Sequence, residues 1–487
     1  MSLAVALRAN GAEVHFGMRA SDVDAAGLAH AEGFQATVLA LPGTGDLPAQ
    51  ADADAFVALA TASVDWVVVD HYRLDARWHA AVRRGLACRI AVIDDLADRP
   101  LDCDALIDHN FVHDPGHRQR YAAQLQRTPQ AWLCGPRFAL LGPAYQSRPA
   151  FQVAAQVRSI GIFLGGTDPA NLSATALRAC RQGSGFTGPV EIASTSANPH
   201  LASLVRSVAA DPAACLVLDQ PDLADFFARH DLQIGAGGGA TWERCCIGVP
   251  SLTLCVADNQ RAVIPALQAL GALISTADNS PASITQALRL LLDGHALRQD
   301  LARRSQALVD GRGAGRVALA MAARVPGELA LQAVTMADAR LLWLWRNHPV
   351  TRSVSRDAAQ IAWPDHQAWL QRTLDNNRRR LWLARIGTTP VGVIRFDAQG
   401  ERRHEVSLYL DPEMHGLGLG AALLNAGERL LVAQAGQARV EAEVLPDNQT
   451  SHRLFLAAGY SNTSPQRYSK TIEPVARQCA YRQESSP

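Results

Sequence analysis

The chain has 487 residues, room for about three domains, and its 48% apolar and 19% charged residues are proportions typical of globular proteins with hydrophobic cores. Lysine plus arginine and aspartate plus glutamate both total 46, so the formal net charge is zero and no basic bias indicates a nucleic acid as a partner. No apolar run reaches the roughly 18 to 20 residues that a membrane-spanning helix needs, so we expect no membrane insertion.

The start of the chain and the cysteines indicate a compartment. Residues 1–8 lack the cationic region and the small-residue cleavage site of a secretion signal. The nine cysteines are scattered and form no CxxC pair, which suits a reducing environment better than a disulfide framework. We therefore expect a cytoplasmic protein.

Residues 1–150 alternate short β runs with helical stretches, which predicts a parallel sheet covered by helices on both faces. A helix that Gly11 stops is followed by predicted strands at 12–18, 64–70, 89–94 and 104–107. A doubly wound domain usually opens with a strand and a glycine turn, whereas this chain begins within a helix. We therefore expect this first lobe to lack its first strand and Gly-rich loop.

Residues 151–325 repeat the same alternation and form a predicted second lobe. A helix is expected from residue 170, and two more helices at 283–293 and 296–309 close the lobe. The predicted strands are 159–164, 190–193, 215–218, 232–235 and 251–255. Two such lobes, joined near Pro149, predict an α/β protein with two Rossmann-like lobes and a cleft between them.

Two glycine-rich turns follow strands of the second lobe. Gly165 and Gly166 come after its first strand, and Gly237, Gly238 and Gly239 come after its fourth. A strand, a tight turn and a helix start expose backbone N–H groups at the positive end of a helix dipole, an arrangement that binds phosphate. The alternative is that the glycines only allow close strand–helix packing, but two such turns in one lobe favour a nucleotide phosphate.

Polar side chains near these turns extend the predicted site. Thr241 would add a hydroxyl to the phosphate, and Glu243 could accept hydrogen bonds from a ribose. In the first lobe Tyr72 or His71 could contact a sugar in the cleft, with a local loop contact as the alternative.

Two further groups carry open alternatives. The pair Asp94-Asp95 ends a strand of the first lobe, and it could face the cleft or form an Asx turn. Asn259 could hydrogen-bond a sugar, or it could cap the helix that follows it.

The pattern changes after residue 310. The glycines within 312–316 and the pair Pro326-Gly327 break it, so we place a boundary there and expect a third domain over 328–475 and a tail at 476–487. Two helices at 338–347 and 363–376 precede three successive strands at 381–386, 391–397 and 405–410. Consecutive strands before a single strand–turn–helix unit predict a mixed sheet of the α+β type.

Four stretches of the first two lobes together resemble one family: VDHYRLD (69–75), IDDLADR (93–99), LGGTDP (164–169) and GGGATWERCC (237–246). The family is the UDP-sugar hydrolase of pseudaminic acid biosynthesis, a relative of the two-lobed GT-B glycosyltransferases. The resemblance covers residues 1 to about 320. The last stretch is the most specific.

The resemblance implies that the second lobe holds UDP through its glycine turns, Thr241, Glu243 and Gln260, and that Tyr72 and Asn259 meet the sugar. In this family water displaces UDP from the anomeric carbon of a 2,4-diacetamido-2,4,6-trideoxy-altrose, and a histidine in a Gly-rich loop activates the water. This chain starts beyond that loop, so the resemblance assigns the role to no residue here. No metal cluster is visible in the sequence, and none is expected to be needed.

The third domain resembles the GNAT acetyltransferases, which implies acetyl-CoA as the cosubstrate. The run His415-x-x-Gly418-x-Gly420 is similar to their pyrophosphate loop, in which Gly416 also lies. Its N–H groups at a helix start would hold the pyrophosphate. The strand that contains Leu408 and Leu410 would pair with pantetheine and polarise the acetyl carbonyl.

A later stretch is similar to a second GNAT motif, in which Asn448 and Ser451 would also contact acetyl-CoA. Many family members have a tyrosine at the position of Phe455 that protonates the leaving thiolate. Phenylalanine cannot donate that proton, so water or another residue must. Glu405 is the candidate base, acting through water on the amine, and a surface carboxylate without a role is the alternative.

Residues 343–347 and 361–363 resemble the sugar N-acetyltransferase of the same pathway, which acetylates the 4-amino group of a UDP-linked amino sugar. Because its product is the substrate of the hydrolase, we expect a bifunctional enzyme whose partners are a UDP-linked amino sugar and acetyl-CoA. One alternative is a GT-B transferase that passes the sugar to an acceptor. The other is a UDP-sugar-binding scaffold joined to an active acetyltransferase.

Overall fold

The computed structural model describes residues 1–20, 24–39, 48–111, 116–146, 148, 151–322, 329–415 and 417–474. The chain divides into two compact units, Met1–Met321 and Ala322–Pro487. Within the described ranges no helix is long and apolar enough to cross a membrane.

The described residues of the first lobe of the first unit form six short parallel strands. They are β1 (His15–Met18), β2 (Gln35–Val38), β3 (Trp66–Val69), β4 (Arg89–Ile93), β5 (Ala105–Asp108) and β6 (Ala131–Cys134). The helices are α1 (Ser2–Ala9), α2 (Ala25–Ala31), α3 (Ala49–Val57), α4 (Ala76–Leu86) and α5 (Gly116–Tyr121). Strands β3 to β6 form one sheet in chain order, whereas β1 pairs with β2 in a separate two-stranded sheet.

The parallel arrangement of this lobe is confirmed, but its strands differ from the prediction. The first strand starts at His15 instead of residue 12. Strands β2 and β6 were not predicted, because neither carries the run of large apolar residues that marks a strand buried on both faces.

The second lobe is a six-stranded parallel sheet in the order β12-β11-β10-β7-β8-β9. Its strands are β7 (Ile160–Phe163), β8 (Val190–Ser194), β9 (Ala214–Leu218), β10 (Leu232–Ala236), β11 (Ser251–Leu254) and β12 (Ile274–Ser275). Its helices are α6 (Leu172–Arg178, continued by a π turn at Ala179–Gly183), α7 (Leu201–Ala209), α8 (Ala224–Ala228), α9 (Ala240–Ile247), α10 (Gln260–Ala269), α11 (Pro281–Asp293) and α12 (His295–Leu308). Numbered within the lobe, the order is 6-5-4-1-2-3, which is the doubly wound arrangement.

The prediction that glycines end the pattern at 312–316 was wrong, because α13 (Gly313–Met321) is a helix. Its Val317 and Met321 pack with Leu3 and Ile107, so the helix completes the core of the first lobe. A Cβ at Gly313 would lie 2.3 Å from the carbonyl oxygen of Ala139. The glycine therefore allows a close approach between helix and loop instead of stopping the helix.

Within 329–415 and 417–474, the second unit contains one mixed seven-stranded sheet in the order β13-β14-β15-β16-β17-β19-β18. Its strands are β13 (Ala330–Ala333), β14 (Arg379–Ile386), β15 (Thr389–Ala398), β16 (Arg403–Leu410), β17 (Ala438–Glu443), β18 (Ser461–Ser464) and β19 (Arg467–Ile472). Its helices are α14 (Ala339–Asn347), α15 (Pro349–Ser353), α16 (Trp363–Leu374), α17 (Leu419–Ala435) and α18 (Gln449–Ala457). Strands β16 and β17 are parallel and the other neighbours are antiparallel, which confirms the mixed sheet.

A buried ion pair holds α13 in place within the first unit. The Asp310 carboxylate accepts hydrogen bonds from two nitrogens of Arg316, at 2.8 and 2.5 Å, and from Arg137 at 3.0 Å. Although burial alone would raise it, the Arg316 guanidinium holds the pKa of the Asp310 carboxyl well below its usual range.

We predict that Asp310→Asn destabilises the first unit by about 3–5 kcal/mol, because it leaves buried guanidinium groups without a counter-charge. Guanidinium chloride titration of the whole chain measures this loss. The matched control is Asp300→Asn, whose partners Arg303 and Arg304 are exposed, and which should cost about 0–1 kcal/mol. Equal unfolding midpoints for the two variants would contradict the assignment.

Candidate nucleotide and acetyl-CoA sites

The two glycine turns of the first unit lie side by side. Strand β10 pairs with β7, and Gly235 is the register partner of Phe163. Each turn begins two residues beyond this pair, at Gly237 and Gly165. The strand order reverses between β7 and β10, which is where doubly wound folds bind ligands outside the carboxyl ends of their strands.

The three glycines at 237–239 have different structural roles. The N–H of Gly237 donates to the carbonyl of Leu254 at 3.1 Å, and a Cβ there would lie 2.4 Å from Ile264. Gly237 is thus required for packing. A Cβ at Gly239 would meet open space, and this residue directly precedes α9, in which the N–H groups of Thr241 and Trp242 donate to the carbonyls of Gly238 and Gly239 at 2.9 and 3.0 Å. Gly238 and Gly239 therefore form the part of the turn that suits phosphate.

The side chains of Thr241 and Glu243, both predicted to contact the nucleotide, have different surroundings in the structure. The Thr241 hydroxyl, predicted to contact phosphate, instead donates to the carbonyl of Ala236 at 3.1 Å and is buried. Burial raises the pKa of the Glu243 carboxyl, and the Tyr145 hydroxyl lies beside it. A contact between Glu243 and a ribose stays a prediction.

The turn at Gly165 and Gly166 leaves fewer N–H groups for a phosphate than we expected from the sequence. Gly165 adopts φ +95, and a Cβ at Gly166 would lie 2.9 Å from Thr195. The Asp168 carboxylate accepts from the N–H groups of Leu172 and Ser173 at 2.9 and 2.8 Å. This carboxylate occupies N–H groups at the start of α6, which begins at Leu172 and not at residue 170. Only the N–H groups of the glycine turn itself are therefore left to bind phosphate.

Residues of both lobes meet at Asp95. The Asn259 side chain donates to the Asp95 carboxylate at 3.2 Å and forms no capping hydrogen bond with α10. Asp94, which precedes Asp95 in the chain, accepts hydrogen bonds from the N–H groups of Leu96 and Ala97, and these are the contacts of a turn. Of these two adjacent aspartates, Asp95 therefore lies in the cleft and Asp94 stabilises a turn.

Three more polar side chains surround this contact. Tyr72 is 57% exposed, and burial of its hydroxyl together with the charge of Asp95 raises the pKa of Tyr72 to about 12. Burial also raises the pKa of the Asp70 carboxyl. His71 is used locally, since its Nδ1 accepts from the N–H of Arg73 at 3.1 Å.

His109 is a cleft residue that sequence reasoning missed. It follows β5, and its ring centroid lies 6.2 Å from that of Trp242 in the second lobe. Burial lowers the pKa of His109, against the charges of Asp108, Asp95 and Asp70. Its position directly after a buried strand was the available signal. Gln260, predicted to contact UDP-sugar, accepts from the N–H of Val256 at 2.9 Å and supports the glycine turn.

Among the described residues no group of three or more histidine, cysteine, aspartate or glutamate side chains is arranged to hold a metal ion.

In the second unit, two parallel strands separate to form a fork. The ladder between β16 and β17 consists of three pairs, Arg403 with Arg439, His404 with Val440, and Glu405 with Glu441. Beyond Glu405, β16 continues to Leu410 paired with β15 alone among its described neighbours. The edge that carries Leu408 and Leu410 therefore faces the fork with backbone groups free to pair with an extended ligand.

The glycine loop that follows β16 leads into α17. Gly416 lies outside the described residues, and His415 is exposed. Gly418 adopts φ +73, a conformation that favours glycine, and directly precedes α17. A Cβ at Gly420 would be in ordinary contact with Leu454 at 3.5 Å. The N–H groups at the start of this helix have no intrahelical partner and suit a pyrophosphate.

The remaining predicted residues are engaged with protein groups. The Asn448 side chain accepts from the N–H of Ser451 at 3.0 Å and caps α18. Glu405, the predicted base, accepts from Arg356 at 2.7 Å and from Gln399 at 2.6 Å, and Arg356 also donates to Glu443 at 3.0 Å. These contacts engage both oxygens of Glu405, Oε1 with Arg356 and Oε2 with Gln399, so this geometry does not favour Glu405 in that role.

The two stretches 343–347 and 361–363 lie against each other. Trp343 Nε1 and Asn347 Nδ2 donate to the carbonyl of Ile361 at 2.8 and 2.9 Å, and the Ile361 N–H donates to Asn347 Oδ1 at 2.8 Å. Trp343 and Trp363 are in edge contact, with ring centroids 5.5 Å apart. One wall of the second unit is therefore built from both stretches.

Comparison with known proteins identifies part of this unit. Residues 341–460 match the model of the acetyltransferase (GNAT) family. The second unit contains a GNAT acetyltransferase domain. The fork between β16 and β17 and the loop before α17 both lie within the matched range of this domain.

Other similarities concern individual proteins. The chain is 28% identical over 188 residues to the spore coat polysaccharide biosynthesis protein SpsG of Bacillus subtilis, a match that covers 38% of this chain and 56% of SpsG. The chain thus spans about half the length of this curated relative.

Solved acetyltransferases also resemble the chain. The Campylobacter jejuni N-acetyltransferase PseH is 15% identical, with a TM-score of 0.24, over 31% of this chain and 100% of PseH. The Vibrio cholerae spermidine N-acetyltransferase in complex with CoA and spermine is 15% identical, with a TM-score of 0.26, over 30% of this chain and 95% of its own.

We predict that Gly420→Val weakens acetyl-CoA binding about 10-fold or more, because a branched side chain at the start of α17 obstructs charge-assisted hydrogen bonds to the pyrophosphate. Isothermal titration with acetyl-CoA measures the change. The control is Gly400→Ala, whose Cβ would meet open space in a turn of the same unit. An unchanged dissociation constant for Gly420→Val would contradict the site.

Proposed function

We propose that the chain is an acetyl-CoA-dependent N-acetyltransferase whose acceptor is the 4-amino group of a UDP-linked amino sugar. The observation that carries the proposal is the fork between β16 and β17 beside the glycine loop. An extended pantetheine arm needs a strand edge with free backbone groups, and a pyrophosphate needs a helix start. The GNAT domain has both at the end of one strand.

The same geometry supports acetyl transfer. Pantetheine lies along the Leu408–Leu410 edge of β16 and places the thioester at the fork. A backbone N–H of this edge stabilises the negative charge that develops on the carbonyl oxygen. A cavity of about 280 Å³ opens beside the fork and includes Glu405, Glu441 and Glu443 in its lining. These carboxylates are ion-paired with arginines, Glu405 and Glu443 with Arg356 and Glu441 with Arg403.

Two observations support a nucleotide-linked sugar as the acceptor. SpsG is named for polysaccharide biosynthesis. The first unit brings two glycine turns to the reversal point of a doubly wound sheet, with Tyr72, Asp95 and Asn259 between the lobes. A UDP group on the turns would place its sugar toward these side chains. The altrose-type configuration of the sugar follows from family resemblance alone.

We predict that the purified chain releases thiol from acetyl-CoA when the 4-amino UDP-sugar is added, and that the product carries one new N-acetyl group. A thiol-reactive dye and mass spectrometry measure the two products. The Gly420→Val variant is the control and should show a raised KM for acetyl-CoA. No thiol release with this acceptor would contradict the proposal.

The contact between Asn259 and Asp95 favours a second activity, hydrolytic release of UDP from the diacetamido sugar. Water attacks the anomeric carbon and UDP leaves from the glycine turns. His109, whose ring centroid lies 6.2 Å from that of Trp242 in the second lobe, is our candidate for the group that accepts the water proton. The rivals are transfer of the sugar to another acceptor by a GT-B type reaction and binding without reaction.

We predict that Gly239→Leu weakens UDP binding about 10-fold or more, because the side chain occupies the open space beside the first N–H groups of α9. With the diacetamido UDP-sugar, hydrolysis gives free sugar and UDP, whereas a glycosylated acceptor indicates transfer. Binding without UDP release supports the scaffold alternative. Unchanged UDP affinity in Gly239→Leu would contradict the nucleotide site itself.

A further inference from the structure

A buried arginine lies at the base of the glycine turn that precedes α9. Arg244 of this helix is 1% exposed, and its Nη2 donates to the carbonyl of Ala236 at 2.8 Å and to Oγ1 of Thr241 at 3.2 Å. Ala236 is the last residue of β10, and the glycines at 237–239 follow it directly. The guanidinium group is therefore held at the point where the strand becomes the turn.

The strand and a neighbouring helix fix the position of this group. A Cβ at Gly235 would lie 2.3 Å from Nη1 of Arg244 and 2.5 Å from its Cζ, so a larger residue at this position of β10 would displace the guanidinium. A glycine inside a strand is typical of places where another group approaches the backbone closely. The Phe227 ring of α8 lies on another side, with its centroid 6.0 Å from Cζ. The charge of Arg244 consequently occupies a site that is built for it.

This charge is not paired with a carboxylate in the described part of the chain. Nη2 bonds to the oxygens of Ala236 and Thr241, whereas Nε and Nη1 are buried without a hydrogen-bond partner among the described residues. Burial raises the pKa of the adjacent Glu243 carboxyl, although the charge of Arg244 opposes this change. Burial also lowers the pKa of Arg244 to about 10, so the guanidinium is still a cation at neutral pH.

A buried charge without a counter-ion destabilises a fold, and such exceptions are expected at functional sites. We propose that Arg244 is a positioning residue for the diphosphate of the nucleotide, which supplies the negative charge that the guanidinium lacks. This inference rests on the proposed nucleotide site and deepens it, because it gives that site a preference for a charged ligand over a neutral one.

The turn separates the charge from the ligand by backbone alone. The glycines at 237–239 have no side chains that would lie between the guanidinium and a phosphate bound to the turn. Because Arg244 is buried, its charge is screened less than the charge of an exposed arginine. The N–H groups of the turn form the hydrogen bonds, and Arg244 adds an attraction that grows with the negative charge of the ligand.

The test compares UDP with uridine, the probe without phosphate, by isothermal titration of the full chain at about pH 6.5. Arg244→Met removes the charge but leaves the Ala236 carbonyl with its hydrogen bond from Thr241 at 3.1 Å. This variant should bind UDP about 10-fold more weakly and uridine with an affinity within about 2-fold of the wild type. Its unfolding midpoint should stay equal or rise, because an apolar side chain replaces an unpaired buried charge.

Arg244→Lys is the conservative variant, since it keeps a cation at the same place. The ordinary pKa of a lysine is about 10.4, and a decrease like that of Arg244 leaves the group protonated at about pH 6.5. The ratio of UDP affinity to uridine affinity should therefore remain within about 3-fold of the wild-type ratio. A ratio as low as that of Arg244→Met would contradict a role for the charge.

Arg304→Met is the matched control for the loss of one positive charge from the same lobe. Arg304 is exposed and is ion-paired with Asp300 at 2.7 Å. Because an exposed and paired charge is screened by water and salt, both dissociation constants should stay within about 2-fold of the wild-type values.

The possible failures are distinguishable. Wild-type binding of UDP with an unchanged UDP-to-uridine ratio in Arg244→Met would overturn this inference and leave the nucleotide site standing. Equal losses for UDP and uridine with a lower unfolding midpoint would show that Arg244 only supports the fold, and the same UDP loss in Arg304→Met would also overturn the inference. Absence of UDP binding by the wild-type chain would overturn the nucleotide site and the inference together.

Discussion

Each backbone N–H and C=O group needs a hydrogen-bond partner, and both candidate sites are places where the fold leaves such groups unpaired. In the first unit, Gly238 and Gly239 lie between the end of β10 and the first turn of α9. In the second unit, β17 leaves β16 after Glu405, and α17 begins just beyond the strand. A phosphate and an extended pantetheine arm are ligands that satisfy such groups without help from charged side chains.

Charged side chains near these sites are mostly engaged with backbone N–H groups or with other side chains. Asp168 fills the start of α6, Asp94 closes a turn, and Glu405 is held by Arg356. Asp95 differs, since its partner Asn259 belongs to the opposite lobe. Such hydrogen bonds identify the carboxylates that stabilise the fold. The other carboxylates remain candidates for catalysis.

The sequence predicted the features that depend on local pattern. Continuous apolar strands such as β7 and β10 and the glycines after them were found at nearly their observed positions, because periodicity and turn chemistry act within a few residues. Features that depend on distant partners were missed. Gly313 was interpreted as part of a break in the pattern at a domain boundary, although it lies in α13 and a carbonyl of Ala139 requires its lack of a side chain.

The same limit applied within the sites. Nothing near Thr241 in the sequence shows that its hydroxyl bonds to Ala236. His109 follows a strand, as the other cleft residues do, but its neighbour Trp242 lies far along the chain. Residue type and strand-end position therefore locate a site, whereas the role of each side chain depends on tertiary contacts.

We propose that one chain carries two sites for phosphate-containing ligands, a nucleotide site in the first unit and an acetyl-CoA site in the second. The most direct measurement is isothermal titration of the full chain with acetyl-CoA, with and without saturating UDP. We expect one molecule of each ligand per chain and a dissociation constant for acetyl-CoA that changes by less than about 2-fold when UDP is bound. Competition between the two ligands, or an absence of UDP binding, would contradict it.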